Sequence, residues 1–238
     1  MAGKAEIRMR KVFLAPSLFG ADPLNLAGSV DAMKNQFDWL HFDIMDGHFV
    51  KNLSFGPHFV DALRKKYPDA FIDTHLMIDS LDVILPLFMN KNSSSITIHA
   101  ETEGHLLHAS LNRIKSAGLK AGISICPPTK ISSIDESIFE LVDLVLIMSV
   151  TPGFGAQKFI PSSLNKVREL VSLREARKYN FLIEIDGGIN ENNIAETALA
   201  GCDVIVAGSA VFNSKDPEQW LINARKNIEE AMKNFDRA

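Results

Sequence analysis

Eight short runs of apolar and β-branched residues, separated by stretches of helical periodicity, constrain the fold of this 238-residue sequence more than any other feature. They lie near Val12–Ala15, Trp39–Ile44, Phe71–His75, Ser95–His99, Lys120–Cys126, Leu144–Ser149, Phe181–Asp186 and Val204–Ala207. Regular alternation of strand and helix implies parallel strands, since each helix carries the chain back to the same edge of the sheet. Eight such pairs in a chain of this length fit a (β/α)8 barrel of the α/β class better than an open doubly wound sheet. No linker, low-complexity tract or composition shift interrupts the pattern, so residues 1–238 read as a single domain. With 46% hydrophobic residues, a continuous core is available to it.

The helix signals agree with this alternation. Asp22-Pro23 and Asp216-Pro217 each read as an N-cap followed by proline at the first helical position. After them, Leu26, Val30, Met33 and Phe37 make one apolar face, and Leu221, Ala224, Ile228 and Phe235 make another on a closing helix.

Charge and cysteine usage exclude several classes. The formal net charge is −4 and Lys and Arg are dispersed, which leaves no basic stripe for nucleic acid or an anionic membrane. No apolar run approaches membrane-spanning length. Met1 to Lys11 carries Lys4, Glu6, Arg8, Arg10 and Lys11 without an apolar stretch of the secretory kind. Cys126 and Cys202 each sit at the edge of an apolar segment and read as reduced core thiols. The expected location is cytoplasmic.

Chemistry concentrates at the strand ends. In His41-Phe42-Asp43-Ile44-Met45, residues two apart share one strand face, so His41, Asp43 and Met45 point together. The pattern recurs in Phe71-Ile72-Asp73-Thr74-His75, and a third run ends in Asp186. His41, Asp43, His75 and Asp186 then form a plausible four-ligand set for one divalent metal, with Zn, Fe, Mn or Co all compatible. A lone histidine on such a strand is ordinarily a core residue satisfied by backbone; the company of two carboxylates at neighbouring ends reverses that reading. His48, His58, His99, His105 and His108 lack such company and read as surface residues or as supports behind the ligands; His99 alone of these stands at a strand end, with Glu101 beside it on the same side. Met45, Met77 and Met148 also fall at this end, as core packing or as a polarizable wall around the reacting centre.

Glycine-rich segments follow the late strands: Gly153-Phe154-Gly155-Ala156 after the sixth, Gly187-Gly188 after the seventh, and Gly208-Ser209 after the eighth, ahead of a short helical stretch at Ala210 to Phe212. Backbone N–H groups in such turns converge on anions, and barrels often hold phosphate after strands seven and eight. One such segment is weak, because turns need glycine anyway; three on the face that carries the metal candidates point to a phosphorylated substrate. Gly153-x-Gly155 is not a dinucleotide fingerprint, since the third glycine is missing.

Taken in order, Ala15-Pro16-Ser17-Leu18, His41-Phe42-Asp43-Ile44-Met45-Asp46-Gly47-His48-Phe49-Val50, His75-Leu76-Met77, Met148-Ser149-Val150-Thr151-Pro152-Gly153-Phe154-Gly155, Asp186-Gly187-Gly188-Ile189 and Ala207-Gly208-Ser209 resemble the ribulose-phosphate 3-epimerase family over nearly the whole chain. The resemblance implies a metal-dependent TIM barrel that inverts C3 of D-ribulose 5-phosphate to give D-xylulose 5-phosphate in the pentose phosphate pathway. Carried over by position, His41, Asp43, His75 and Asp186 would bind the metal, and Asp43 and Asp186 would double as the acid-base pair. Ser17 and His75 would touch the substrate. Gly153, Phe154, Gly155, Ala156, Gly187, Gly188, Gly208 and Ser209 would hold it at the phosphate end, beside Asp186. A homo-oligomer is the expected assembly.

The chain departs from the family pattern at Ala156, where a second glycine is usual, at Thr151, where Asn or Glu is common before the proline, and after Ser17. Ala156 can still offer its N–H if its φ is negative, so a modest effect is expected there.

Inverting a carbon beside a ketone requires removing its proton, stabilising the enediolate and returning a proton to the opposite face. A bound metal would act as Lewis acid, and two carboxylates on strands far apart around the barrel can serve the two faces. The alternatives are a 3-epimerase of a related ketose phosphate such as D-allulose 6-phosphate, a phosphate-binding barrel lyase or aldolase, and a non-catalytic binding protein. A Schiff-base aldolase needs an inward lysine at a strand end, where strand six has Met148 instead.

Overall fold

A computed structural model describes residues 10–90, 92–102 and 106–235. The sequence readings on residues 1–9 and on His105 lie outside the described residues. Eight strands form: β1 Phe13–Pro16, β2 Trp39–Met45, β3 Phe71–Met77, β4 Ser95–His99, β5 Lys120–Ile125, β6 Leu144–Met148, β7 Leu182–Asp186 and β8 Val204–Ala207. Each lies within two residues of an expected run. All seven pairings between them are parallel, in the order β1-β8-β7-β6-β5-β4-β3-β2. A parallel bridge between Ser17 and His41 brings β1 back against β2 and closes the (β/α)8 TIM barrel.

The helices between and after the strands are α1 Leu26–Ala32, α2 Pro57–Lys66, α3 Leu81–Ile84, α4 Leu107–Ser116, α5 Glu136–Leu141, α6 Ser163–Arg177, α7 Ile194–Ala200, α8 Ser209–Phe212 and α9 Pro217–Phe235. No described helix is long and apolar enough to cross a membrane. Two details differ from the sequence reading. Asp22 caps a turn rather than a helix, its Oδ1 accepting the Leu24 N–H at 3.0 Å. The helix starts three residues on, where Asn25 Oδ1 accepts from the Gly28 N–H at 3.2 Å, and it ends before Met33 and Phe37, which still pack on the core. At the other end Asp216 does cap α9, but Phe235 lies 68% exposed and Trp220 takes its place among the buried residues.

Period-two alternation sorts the strand side chains. Leu40, Phe42 and Ile44 of β2, like Ile183 and Ile185 of β7, face outward into the large apolar layer under the helices. Inside, the floor of the barrel is apolar, built from Ala15, Trp39, Leu144, Val204 and Val206 with Phe13, Phe71 and Leu182 against them. Above that floor the interior becomes polar: His41, Asp73, Thr97, Ser124 and Glu184 are all 0% exposed. Most barrels fill these layers with branched hydrophobes. Here the interior serves the site above it. Cys126 and Cys202 are free and buried, as expected of core thiols.

Candidate active site

The register of the parallel strands sets the site. His41 pairs with Asp73, Asp43 with His75, and Met148 with Asp186, so consecutive inward positions stack toward the C-terminal rim. One donor atom from each of His41, Asp43, His75 and Asp186 lies within 4.8 Å of the others. Ser17, at the end of β1, donates its hydroxyl to Asp43 Oδ2 at 2.5 Å.

The rim opens into a cavity of about 230 Å³, room for roughly eight waters at about 30 Å³ each and so for a small molecule. Asp43 and Asp186 line it with Ser17, the methionines Met45, Met77 and Met148, and all three glycine segments, including Gly153, Phe154, Gly155, Ala156, Gly187, Gly188, Gly208 and Ser209. His41 and His75 lie beneath, fully buried. The methionines are therefore both packed and facing the cavity. No lysine lines it.

The cluster is unevenly charged. Burial opposes ionisation of Asp43, yet His41 and His75 overcome it and hold the carboxyl well below its usual range. Burial and then the charge of Asp43 push Asp186 up to about 7. Burial alone would lower His41, but Asp43, Asp73 and Glu184 around it raise it well above its ordinary value. The two carboxyls are thus pushed in opposite directions, Asp43 toward its ionised form and Asp186 toward its neutral one. The cluster also draws a positive charge inward.

The fit to a metal rests on one orphaned atom. His41 Nε2 is buried with no hydrogen-bond partner, 3.3 Å from Asp43 Oδ1, while its Nδ1 is engaged with Asp73 Oδ2 at 2.7 Å. A carboxylate that fixes one imidazole nitrogen and leaves the other free is the arrangement of a metal-ligating histidine. Ser95 in turn donates to Asp73 Oδ1 at 2.5 Å. With two imidazoles and two carboxylates, the donor set suits a divalent transition metal.

The raised Asp186 has a measurable cost. The unfolded chain releases this proton near the ordinary value of 3.8 and the folded metal-free protein only near 7. The stabilising contribution is therefore full below about pH 4 and lost as pH rises through 7. The ceiling is about 4 kcal/mol, and water in the cavity reduces it to about 2. Metal-free Asp186→Asn should match the parent's Tm at pH 4 and exceed it at pH 8 by about 4–8 °C, read from thermal melts at both pH values.

A model of the ribulose-phosphate 3 epimerase family matches residues 13–212. The chain belongs to that family. The ribulose-phosphate 3-epimerase of Aquifex aeolicus is 43% identical over 206 residues, 86% of this chain and 91% of that protein. That of Escherichia coli is 39% identical over 221 residues, covering 92% of this chain and 97% of its own length. Among solved structures, 3-hexulose-6-phosphate synthase from Salmonella typhimurium superposes with a TM-score of 0.67 at 17% identity, over 93% of this chain and 99% of that one. The 3-keto-L-gulonate-6-phosphate decarboxylase from Vibrio cholerae gives 0.66 at 14%, over 92% and 98%. These two likenesses establish the barrel; the epimerase relatives make the chain an isomerase-class enzyme.

The epimerase loop after β6 departs from the sequence expectation at one point. Ala156 has φ +55°, not the negative value expected for it, in the left-handed region where a Cβ costs roughly 1–2 kcal/mol. Ala156→Gly removes that strain against a smaller gain in unfolded-chain entropy, so Tm should rise by about 1–3 °C. Ala156→Val should lower it. A thermal melt of the two variants checks both signs.

Two residues escaped the sequence reading, and a third, His99, stands out in it only by its strand end and by Glu101 beside it. Asp73 and Glu184 stand two positions before His75 and Asp186 on the same strand faces, and both approach His41 Nδ1, at 2.7 and 3.4 Å. Period-two spacing carried that signal. His99 is fully buried with its Nε2 2.9 Å from His75 Nε2, while His48, His58 and His108 are exposed.

Proposed function

We propose that this chain epimerises D-ribulose 5-phosphate and D-xylulose 5-phosphate at C3 by proton transfer between Asp43 and Asp186, within one barrel domain. The observation that carries this reading is the placement of two carboxylates at the ends of β2 and β7, on separate strands, in one cluster and both lining one cavity. His41, Asp43, His75 and Asp186 would hold a divalent ion, which when bound would polarise the ketone as a Lewis acid.

The residues supply the rest. Asp43, ionised and steadied by the Ser17 hydroxyl, takes the C3 proton from one face. Asp186, protonated, gives its proton to the other face, and the two exchange roles in the reverse direction. Met45, Met77 and Met148 keep water away from the flat enediolate between them, where charge interactions are stronger than in water.

The glycine segments would hold the phosphate. Gly188 fits only as glycine: its φ is +67° and an added Cβ would fall 2.5 Å from the Phe159 backbone N. Gly20 is as constrained, since a Cβ there would lie 2.7 Å from the Gly208 carbonyl carbon, packing β1's exit against the Gly208-Ser209 turn. A carboxylate at that turn should repel a dianion. Ser209→Asp is expected to raise KM at least tenfold with metal content unchanged, and steady-state kinetics with elemental analysis checks it.

The deciding experiment is turnover of D-ribulose 5-phosphate, coupled to detection of D-xylulose 5-phosphate, on metal-stripped and metal-restored protein. Activity that is lost and regained supports the reading. Faster turnover of D-allulose 6-phosphate would reassign the sugar, and inactivity on both would overturn the reading.

A further inference from the structure

The residues behind His75 form a hydrogen-bonded chain with a carboxylate at each end. His75 Nδ1 faces Asp43 Oδ1 at 3.2 Å and its Nε2 meets His99 Nε2 at 2.9 Å. His99 Nδ1 lies 3.2 Å from Glu101 Oε2. Glu101 Oε1 accepts the Cys126 N–H at 2.8 Å. The turn that carries Cys126 is tied down by Lys166 of α6, whose ammonium donates to the carbonyls of Cys126, Pro127 and Thr129 at 2.8, 2.8 and 2.5 Å. Both imidazoles are fully buried.

Between two ring nitrogens at hydrogen-bond distance one must carry the proton and the other must accept it. Asp43 and Glu101 both only accept, so two neutral rings can give a ring proton to one of them and not to both; with Asp43 and His75 Nδ1 both turned to a metal, the proton of His99 lies on Nδ1, toward Glu101. His99 Nε2 is then an acceptor, and His75 must carry its proton on Nε2. The His75 Nδ1 lone pair is then free for the ion that Asp43 also faces.

We infer that His99 and Glu101 are positioning residues that set the tautomer of His75 and so present its Nδ1 to a metal. This rests on the metal reading above. It gives His75 the same kind of support that Asp73 gives His41, delivered through an intervening ring. Outer partners of this kind are worth about 10–100-fold in metal affinity.

The test compares the parent with His99→Leu, His99→Gln and Glu101→Gln, measuring Co²⁺ affinity by chelator competition, the visible spectrum of the Co²⁺ proteins, and kcat and KM. His99→Leu removes the acceptor and should weaken Co²⁺ binding about 10–100-fold with an altered visible band. His99→Gln restores an acceptor oxygen and should recover most of the affinity and the parental band. Glu101→Gln, a near-isosteric change at a partly exposed side chain, should lose several-fold, with kcat falling more than KM changes. A parent that binds Co²⁺ and turns over, with His99→Leu matching it in affinity and spectrum, overturns the inference alone. Equal losses in the leucine and glutamine variants reduce His99 to a space-filling role and also overturn it. A parent without Co²⁺ affinity overturns the metal reading, and this inference with it.

Discussion

Asp186→Asn should lower kcat by about 10²–10⁴-fold, the usual worth of a positioned acid-base group, while retaining much of its metal because an amide oxygen can still ligate. The residual chemistry is the informative part. With Asp43 intact, the epimer whose C3 hydrogen faces Asp43 should still exchange that hydrogen in D2O without inverting, and the other epimer should not. In the parent, product isolated after one turnover in D2O should carry deuterium at C3, and substrate recovered early should carry much less. Retention of the original C3 hydrogen in the parent's product would eliminate transfer by this pair, as would Asp186→Asn keeping kcat within tenfold of the parent.

His41→Ala is expected to cost more than any other ligand change, because His41 also sits against the buried carboxylates Asp73 and Glu184. Metal affinity should fall by more than about 100-fold, the upper effect of an outer-sphere partner alone, and activity should fall with it. Removing one member of a buried charged set typically costs about 3–5 kcal/mol, so the metal-free variant should also melt lower. His75→Ala should lose metal comparably. Elemental analysis finding full occupancy in both variants would refute the assignment of these two ligands; circular dichroism separates metal loss from unfolding.

Sequence alone carried the barrel because eight apolar runs with helical intervals leave few other topologies, and the runs match the strands to within two residues. It carried the principal cluster because Asp43, His75 and Asp186 are inward positions toward the strand ends and His41 is the inward position just below Asp43, a statement about period two and nothing more. It stopped at pairs that no single strand displays. That Asp73 engages His41, or that His99 meets His75, depends on the register between neighbouring strands, which the runs do not specify. The φ of Ala156 and the start of α1 were illegible for a related reason: the shape of the loop after β6 and the choice between Asp22 and Asn25 as cap are settled by what packs nearby.

The polar middle of the barrel constrains how this chain can change. His41, Asp73 and Glu184 are fully buried with ligand atoms within 4.8 Å of one another, and among the described residues Thr97, Ser124 and Glu184 keep side-chain oxygens without a hydrogen-bond partner. Burial and the neighbouring Asp73 push Glu184 well above its ordinary value. Replacing any one member leaves the others stranded, whereas replacing the set together with hydrophobes of similar volume is often neutral or stabilising. An apolar interior of the kind most barrels use is therefore separated from this one by several substitutions that are harmful one at a time. The layer can be exchanged only as a unit, and the catalytic rim would lose its support in the exchange.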